Sequence, residues 1–296
     1  MTGNVADQPL VKPASRLTRR SFLRGSALAA GGMAFYSGEI ARHEISVLSH
    51  TIGIRNLPDA FRGFRIVQIS DIHFDEYTEP SFLERVLLQV NSLNADMVLL
   101  TGDYISFTPL PRSFVLGAMH RCADVLRAIA CPLRFAVMGN HDSLLGEGIV
   151  SPILAGVGIP MLVDEHLPIE RSGQRIWLGG SRDPVTEAPD LNAAIPERPD
   201  GPVILMCHAP DYADEVLAHP RGHLVDLMLS GHTHGGQVRF PFLPAFHLPF
   251  GGQKYVEGLF RIDQMQLYVN KGIGAVGVPF RLNCPPEITL LTLQRA

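Results

Sequence analysis

"VDLMLSGHTHGG", residues 225–236, sets two histidines one residue apart, His232 and His234, within a fence of glycines at 231, 235 and 236. Ahead of them Val225, Leu227 and Leu229 alternate with Asp226, Met228 and Ser230, the two-residue period of a short, mostly buried strand that ends where the glycines begin. The histidines therefore sit at the carboxyl end of a strand. That is the edge along which open α/β sheets bind ligands.

The same construction recurs upstream. "FRIVQIS" (64–70) runs into Asp71 and His73, "MVLLT" (97–101) into Gly102 and Asp103, "RFAVM" (134–138) into Gly139, Asn140, His141 and Asp142, and "VILMC" (203–207) into His208. Taken singly, each polar residue has a structural reading: Asp71 or Asp103 closing a turn, Asn140 in a left-handed bend, His208 satisfied in a core. Five strands that all deliver carboxylate, amide or imidazole groups to one edge are not explained by separate turns.

Asp71, His73, Asp103, Asn140, His208, His232 and His234 offer oxygen and imidazole nitrogen but no thiolate, a set suited to divalent Mn, Fe or Zn. Seven side chains exceed the needs of one ion. If Asp103 bridges, they divide into two groups of four and leave positions for water and substrate. Two dications against two carboxylates keep net positive charge even with a bridging hydroxide, which suits an anionic phosphoryl group. Glycines beside His232 and His234 let the backbone turn sharply enough for neighbouring imidazoles to reach different ions.

Around these points the chain reads as short apolar runs alternating with helical stretches. Strands are expected at 45–49, 64–70, 96–101, 133–138, 175–179, 202–207, 225–230, 265–270 and 287–293, and helices at 81–94, 113–130 and 210–218. Strands and helices alternate early, and strands with short connections dominate later. The pattern predicts an α/β or mixed layered fold.

The 296 residues, 46% hydrophobic and 18% charged, suffice for one large domain with a substantial core. Within residues 1–38, Lys12, Arg16, Arg19, Arg20 and Arg24 face only Asp7; taking this +4 from the overall −4 leaves about −8 for the rest. An acidic body argues against nucleic acid as the main partner. "TRRSFLRGSALAAGGMAFYSG" (18–38) joins an arginine pair to a Gly/Ala-rich apolar run too short for a bilayer span of roughly 20 residues. It resembles a twin-arginine export signal, so residues 1–40 are read as signal or retained anchor and 41–296 as the catalytic domain. The expected location is the periplasm or the outer face of the cytoplasmic membrane. Cys122, Cys131, Cys207 and Cys284 are too scattered for a disulfide scaffold, although Cys122 and Cys131 could pair after export.

The ordered series DIH, GD, GNHD, CH and GHTH resembles the motifs of the calcineurin-like metallophosphoesterase superfamily over residues 63–293. With the leader and the closing "KGIGAVGVPFRLNCPPEITLLTL" (271–293), it is most similar to the exported, membrane-associated branch. The resemblance implies a four-layer α/β/β/α sandwich of two mixed sheets flanked by helices, with two divalent metal ions. It implies that Asp71, His73, Asp103 and His234 hold the first ion and Asp103, Asn140, His208 and His232 the second. It further implies that His141 contacts phosphate and helps protonate the leaving group, with Asp142 orienting it. Many members carry an acid or asparagine soon after GD, where this chain has Tyr104, Ile105 and Ser106.

The function expected is hydrolysis of phosphodiester or pyrophosphate bonds in envelope lipids or small phosphorylated molecules. A phosphomonoesterase and a non-catalytic metal-binding envelope protein are the alternatives. Expected partners are the substrate, the twin-arginine export machinery and a membrane surface. "RFPFLPAFHLPFGGQKY" (239–255) has two readings, a hydrophobic rim for an acyl-bearing substrate or a loop whose phenylalanines pack on the sandwich. His247 within it has no motif support.

Overall fold

The computed structural model describes residues 18–74, 76–107 and 110–296, so Asp7, Lys12 and Arg16 of the leader lie outside the described residues. Its first sheet takes the order β1-β11-β2-β3-β4, formed by β1 (Ser46–Ile54), β2 (Arg65–Ile69), β3 (Met97–Leu100), β4 (Arg134–Ala136) and β11 (Glu287–Arg295). The second takes the order β5-β6-β7-β8-β10-β9, from β5 (Glu165–Arg171), β6 (Gln174–Gly180), β7 (Val203–Met206), β8 (Val225–Ser230), β9 (Gly258–Ile262) and β10 (Met265–Val269). Strands β2, β3 and β4 run parallel, as do β6, β7, β8 and β10. Antiparallel pairings of β11 with β2, β5 with β6 and β9 with β10 make both sheets mixed.

Strands such as MVLL and VILM are apolar at every position because both their faces are covered. Alternate residues feed different cores. Val67, Ile69, Val98 and Leu100 pack outward against α2 (Pro80–Ser92), α3 (Arg112–Leu126) and α5 (Glu147–Ala155). Ile66, Leu99 and Leu291 point inward and meet Leu178, Ile204 and Leu227 of the second sheet. Val203, Leu205 and Met228 cover that sheet's other face with α6 (Leu191–Ala194) and α7 (Ala213–Ala218). The result is the expected four-layer α/β/β/α sandwich.

Several elements depart from the sequence expectation. β5 and β9 are edge strands whose half-exposed, charge-bearing sequences, EHLPIER and GLFRI, lack a clean apolar run. The helix expected over 210–218 is a 3₁₀ turn, Pro210–Tyr212, followed by α7. A short helix, α4 (Asn140–Leu145), begins at the GNHD motif itself. The leader forms α1 (Arg19–Phe35), capped by Thr18, whose Oγ1 accepts the Ser21 N–H at 3.1 Å. α1 buries no residue, and among the described residues no helix is long and apolar enough to cross a membrane. Its root is fixed where Arg281 N donates to Ser37 O at 3.0 Å. No disulfide joins Cys122 and Cys131; the Cys131 thiol faces the carbonyls of Ala95 and Leu133.

Candidate metal centre

Strands β2, β3, β4, β7 and β8 release their chains at one edge, and each following loop bends at once toward a common point. Asp71, His73, Asp103, His232 and His234 all adopt positive φ, between 47° and 73°. Side-chain-bearing residues pay for that conformation, and such strain gathers at functional sites. Gly231 and Gly139 are required by space: a Cβ on Gly231 would fall on the Ser70 and Asp71 oxygens, and one on Gly139 on the Asp103 carboxylate.

Two clusters stand apart, and a third group, His73, Asp103 and His141, lies between them. Asp71, His73 and His234 form one, with Nε2 of His234 3.0 Å from Nε2 of His73 and 3.5 Å from Asp71 Oδ1. Asp103, His208 and His232 form the other, with His208 Nε2 3.2 Å from both Asp103 Oδ2 and His232 Nδ1. Asp103 Oδ2 also lies 3.6 Å from His73 Nε2, so this carboxylate stands between the clusters.

The outer hydrogen bonds fix the tautomers. His208 Nδ1 faces Thr101 O at 2.6 Å and His232 Nε2 faces Phe250 O at 2.9 Å. A carbonyl can only accept, so both nitrogens carry a proton, and His208 Nε2 and His232 Nδ1 are left facing one point beside the Asp103 carboxylate. That point suits a cation, supplied either by a proton on His208 Nε2 or by a metal ion that displaces it. Asn140 Oδ1 is buried at the same place without a hydrogen-bond partner. The donor set therefore fits divalent ions.

Burial pushes His73 down to about 3 and His232 to about 4. Burial, His73 and the Arg281 cation hold His234 well below the usual range. These rings are neutral at pH 7, the form that binds metal. His208 behaves oppositely, because the Asp103 and Asp71 carboxylates outweigh its desolvation and raise it.

A sequence profile of the calcineurin-like phosphoesterases matches residues 64–236. The chain belongs to that family. This phosphoesterase is 32% identical to the metallophosphoesterase YkuE of Bacillus subtilis, over 94% of its own length and 98% of YkuE. It is 28% identical to the phosphodiesterase YaeI of Escherichia coli, over 86% of this chain and 88% of that one. It is also 30% identical to a transmembrane protein with metallophosphoesterase domain of Danio rerio, over 89% of this chain and 61% of that protein. It is a phosphoester hydrolase of a family that uses a dinuclear divalent centre, and the clusters just described are able to bind such ions.

Asp142 of the phosphoesterase does not orient His141. Its Oδ2 accepts the N–H groups of Asp103 and Gly139 at 2.7 and 3.0 Å, and its Oδ1 that of Tyr104 at 2.9 Å. Starting α4, this carboxylate pins the loop that carries Asp103. His141 lies edge-on to His73 with ring centroids 5.0 Å apart, and its Nδ1 accepts the Phe107 N–H at 3.1 Å. The proton of the neutral ring is thereby left on Nε2. In the stretch after GD, Ser106 Oγ meets His73 Nδ1 at 2.8 Å.

Arg281 went unread in the sequence. It is fully buried, and its guanidinium donates to the carbonyls of Gly272, Gly274 and Cys284 while Nη2 reaches His234 Nδ1 at 3.4 Å. No local signal distinguishes it, since a lone arginine in a proline-rich stretch reads as surface. The centre opens into a cavity of about 430 Å³ with His73, Asp103, Asn140, His141, His232 and His234 as floor and Val238, Phe246, Pro249 and Val278 as wall. His247, which no motif supports, lines the same cavity.

Proposed function

We propose that the enzyme hydrolyses phosphodiester or pyrophosphate-type bonds of envelope lipids or small molecules, and that it is exported by the twin-arginine route to the periplasm or the outer face of the cytoplasmic membrane. The observation that carries the reaction is the pair of clusters joined by Asp103 at the floor of one cavity. In this reading Asp71, His73, Asp103 and His234 hold one divalent ion, and Asp103, Asn140, His208 and His232 the other. Ions so held supply Lewis acidity toward phosphoryl oxygens and a nucleophilic oxygen at neutral pH.

The chain's own residues do the rest. Asp103 and Asp71 set the charge of the floor, and the carbonyls of Thr101 and Phe250 aim the rings of His208 and His232. Half-buried His141 presents Nε2–H to the cavity as a hydrogen-bond donor to a phosphoryl oxygen. A second ring proton, as leaving-group protonation needs, would set Nδ1–H against the Phe107 N–H. The diesterase reading is supported by the name of the Escherichia coli relative and by an apolar wall that suits a second ester substituent. Export is supported by Arg19 and Arg20, both exposed in the first turn of α1.

The test compares bis(p-nitrophenyl) phosphate with p-nitrophenyl phosphate on protein loaded with Mn, Fe or Zn. Turnover of the diester that chelation abolishes is expected. Preference for the monoester would favour a phosphomonoesterase, and retained metal with no turnover of either would leave a binding protein.

A further inference from the structure

The loop that follows the second cluster leaves a large apolar surface in water. Phe242, Leu243, Phe246 and Phe250 are 105%, 65%, 88% and 78% exposed, which rules out the reading in which they pack on the sandwich. The loop is nonetheless tied down at both ends. Arg239 N donates to Leu282 O and Asn283 Nδ2 to Arg239 O, at 2.9 and 2.7 Å. Beyond the phenylalanines, the Asp211 carboxylate takes the N–H groups of Gln253, Lys254 and Tyr255 at 2.7 to 3.1 Å. The stretch from Phe240 to Phe250 holds no charged residue, and prolines at 241, 244 and 249 remove backbone donors. It offers a partner apolar contact and almost no directional bonding.

The helix α1 starts from the same ground. Segment 276–282 lends Val276 and Val278 to the cavity, while its Phe280 lies against Gly38 and its Arg281 N bonds Ser37 O at 3.0 Å. α1 exposes Phe22, Leu23, Leu28 and Phe35 and carries Arg19, Arg20 and Arg24 with no acid. Exposed apolar patches mark interaction sites, and a short basic, apolar helix beside aromatic side chains suits the headgroup boundary of an anionic bilayer. A protein partner would call for the hydrogen-bonding pattern that this loop lacks.

We infer that the phenylalanine loop and α1 form one docking face for an anionic lipid surface, from which an acyl-bearing phosphodiester enters the cavity past Phe246, Pro249 and Val278. The inference rests on the hydrolase reading for its substrate, but its docking step is read without turnover. Full-length protein is sedimented with vesicles of equal parts phosphatidylglycerol and phosphatidylcholine, and with phosphatidylcholine alone. Binding to the anionic vesicles is expected. The double variant Phe242→Ser, Leu243→Ser, outside the cavity and both clusters, should bind them about tenfold or more weakly while hydrolysing bis(p-nitrophenyl) phosphate at the wild-type rate. Changing Arg19, Arg20 and Arg24 to Gln should erase the preference for anionic over neutral vesicles. Wild type that stays in the supernatant, or a double variant that pellets equally well, overturns the docking face. So does a double variant that loses only self-association, which would make the patch an interface between copies. A wild type that pellets yet fails on the soluble diester would refute the diesterase reading and leave the docking face standing.

Discussion

Asp103 lies 3.6 Å from one cluster's His73 and 3.2 Å from the other's His208, so deleting its charge reaches both. Asp103→Asn is expected to lower metal content and kcat together, kcat by about 100-fold or more. Elemental analysis beside a diester assay checks this, and full occupancy with normal turnover would dismantle the centre as drawn. His141→Ala should keep its metal. As a hydrogen-bond donor only, His141 should cost roughly 10²-fold in kcat on a p-nitrophenyl diester and on an alkyl diester alike. A much larger loss on the alkyl ester, whose leaving group needs a proton, would restore the acid role expected from sequence. At this scale the ligand types were legible because each stands directly after a strand. The roles of Asp142 and Arg281 were not, since both act on backbone groups that only the folded loops bring near.

Elements buried on both faces were readable, and the edge strands of the second sheet, β5 and β9, were not. β3 and β7 announce themselves as unbroken apolar runs, whereas β5 carries Glu165, Glu170 and Arg171 because one of its sides meets water. The turn from β4 into α4 shows how one side chain holds an element in place. Asp142→Ala would leave three buried N–H groups of the metal loops without an acceptor, so a loss of about 3 kcal/mol is expected. Urea unfolding of metal-free protein reads this directly, and a variant as stable as wild type would mean the loops are held by other contacts. α1 makes a separate prediction. Replacing Arg19 and Arg20 by Lys keeps the charge but changes a receptor-read address, so export should stop while vesicle binding persists. Fractionation decides, and a variant still reaching the outer face would end the twin-arginine reading.

Across the whole molecule, the layered architecture was legible from the alternation of runs, but the strand order was not. Nothing local in "EITLLTLQR" says that the last strand inserts between β1 and β2, pairing parallel with one and antiparallel with the other. Leu291 of that strand is fully buried between the sheets. Leu291→Ala should therefore cost about 2 to 5 kcal/mol, seen as a lower urea midpoint at unchanged m. A cost under 1 kcal/mol would mean that the space between the sheets is loosely filled.

The position of β11 also makes closure of the first sheet a non-local step. β1 and β2 do not pair with each other and meet only across Glu287–Arg295, while the guanidinium behind His234 comes from Arg281, just ahead of that strand. Pairings between segments so far apart in the chain are slow to form, so the loop that β2 carries into the metal centre gains its final support late in folding.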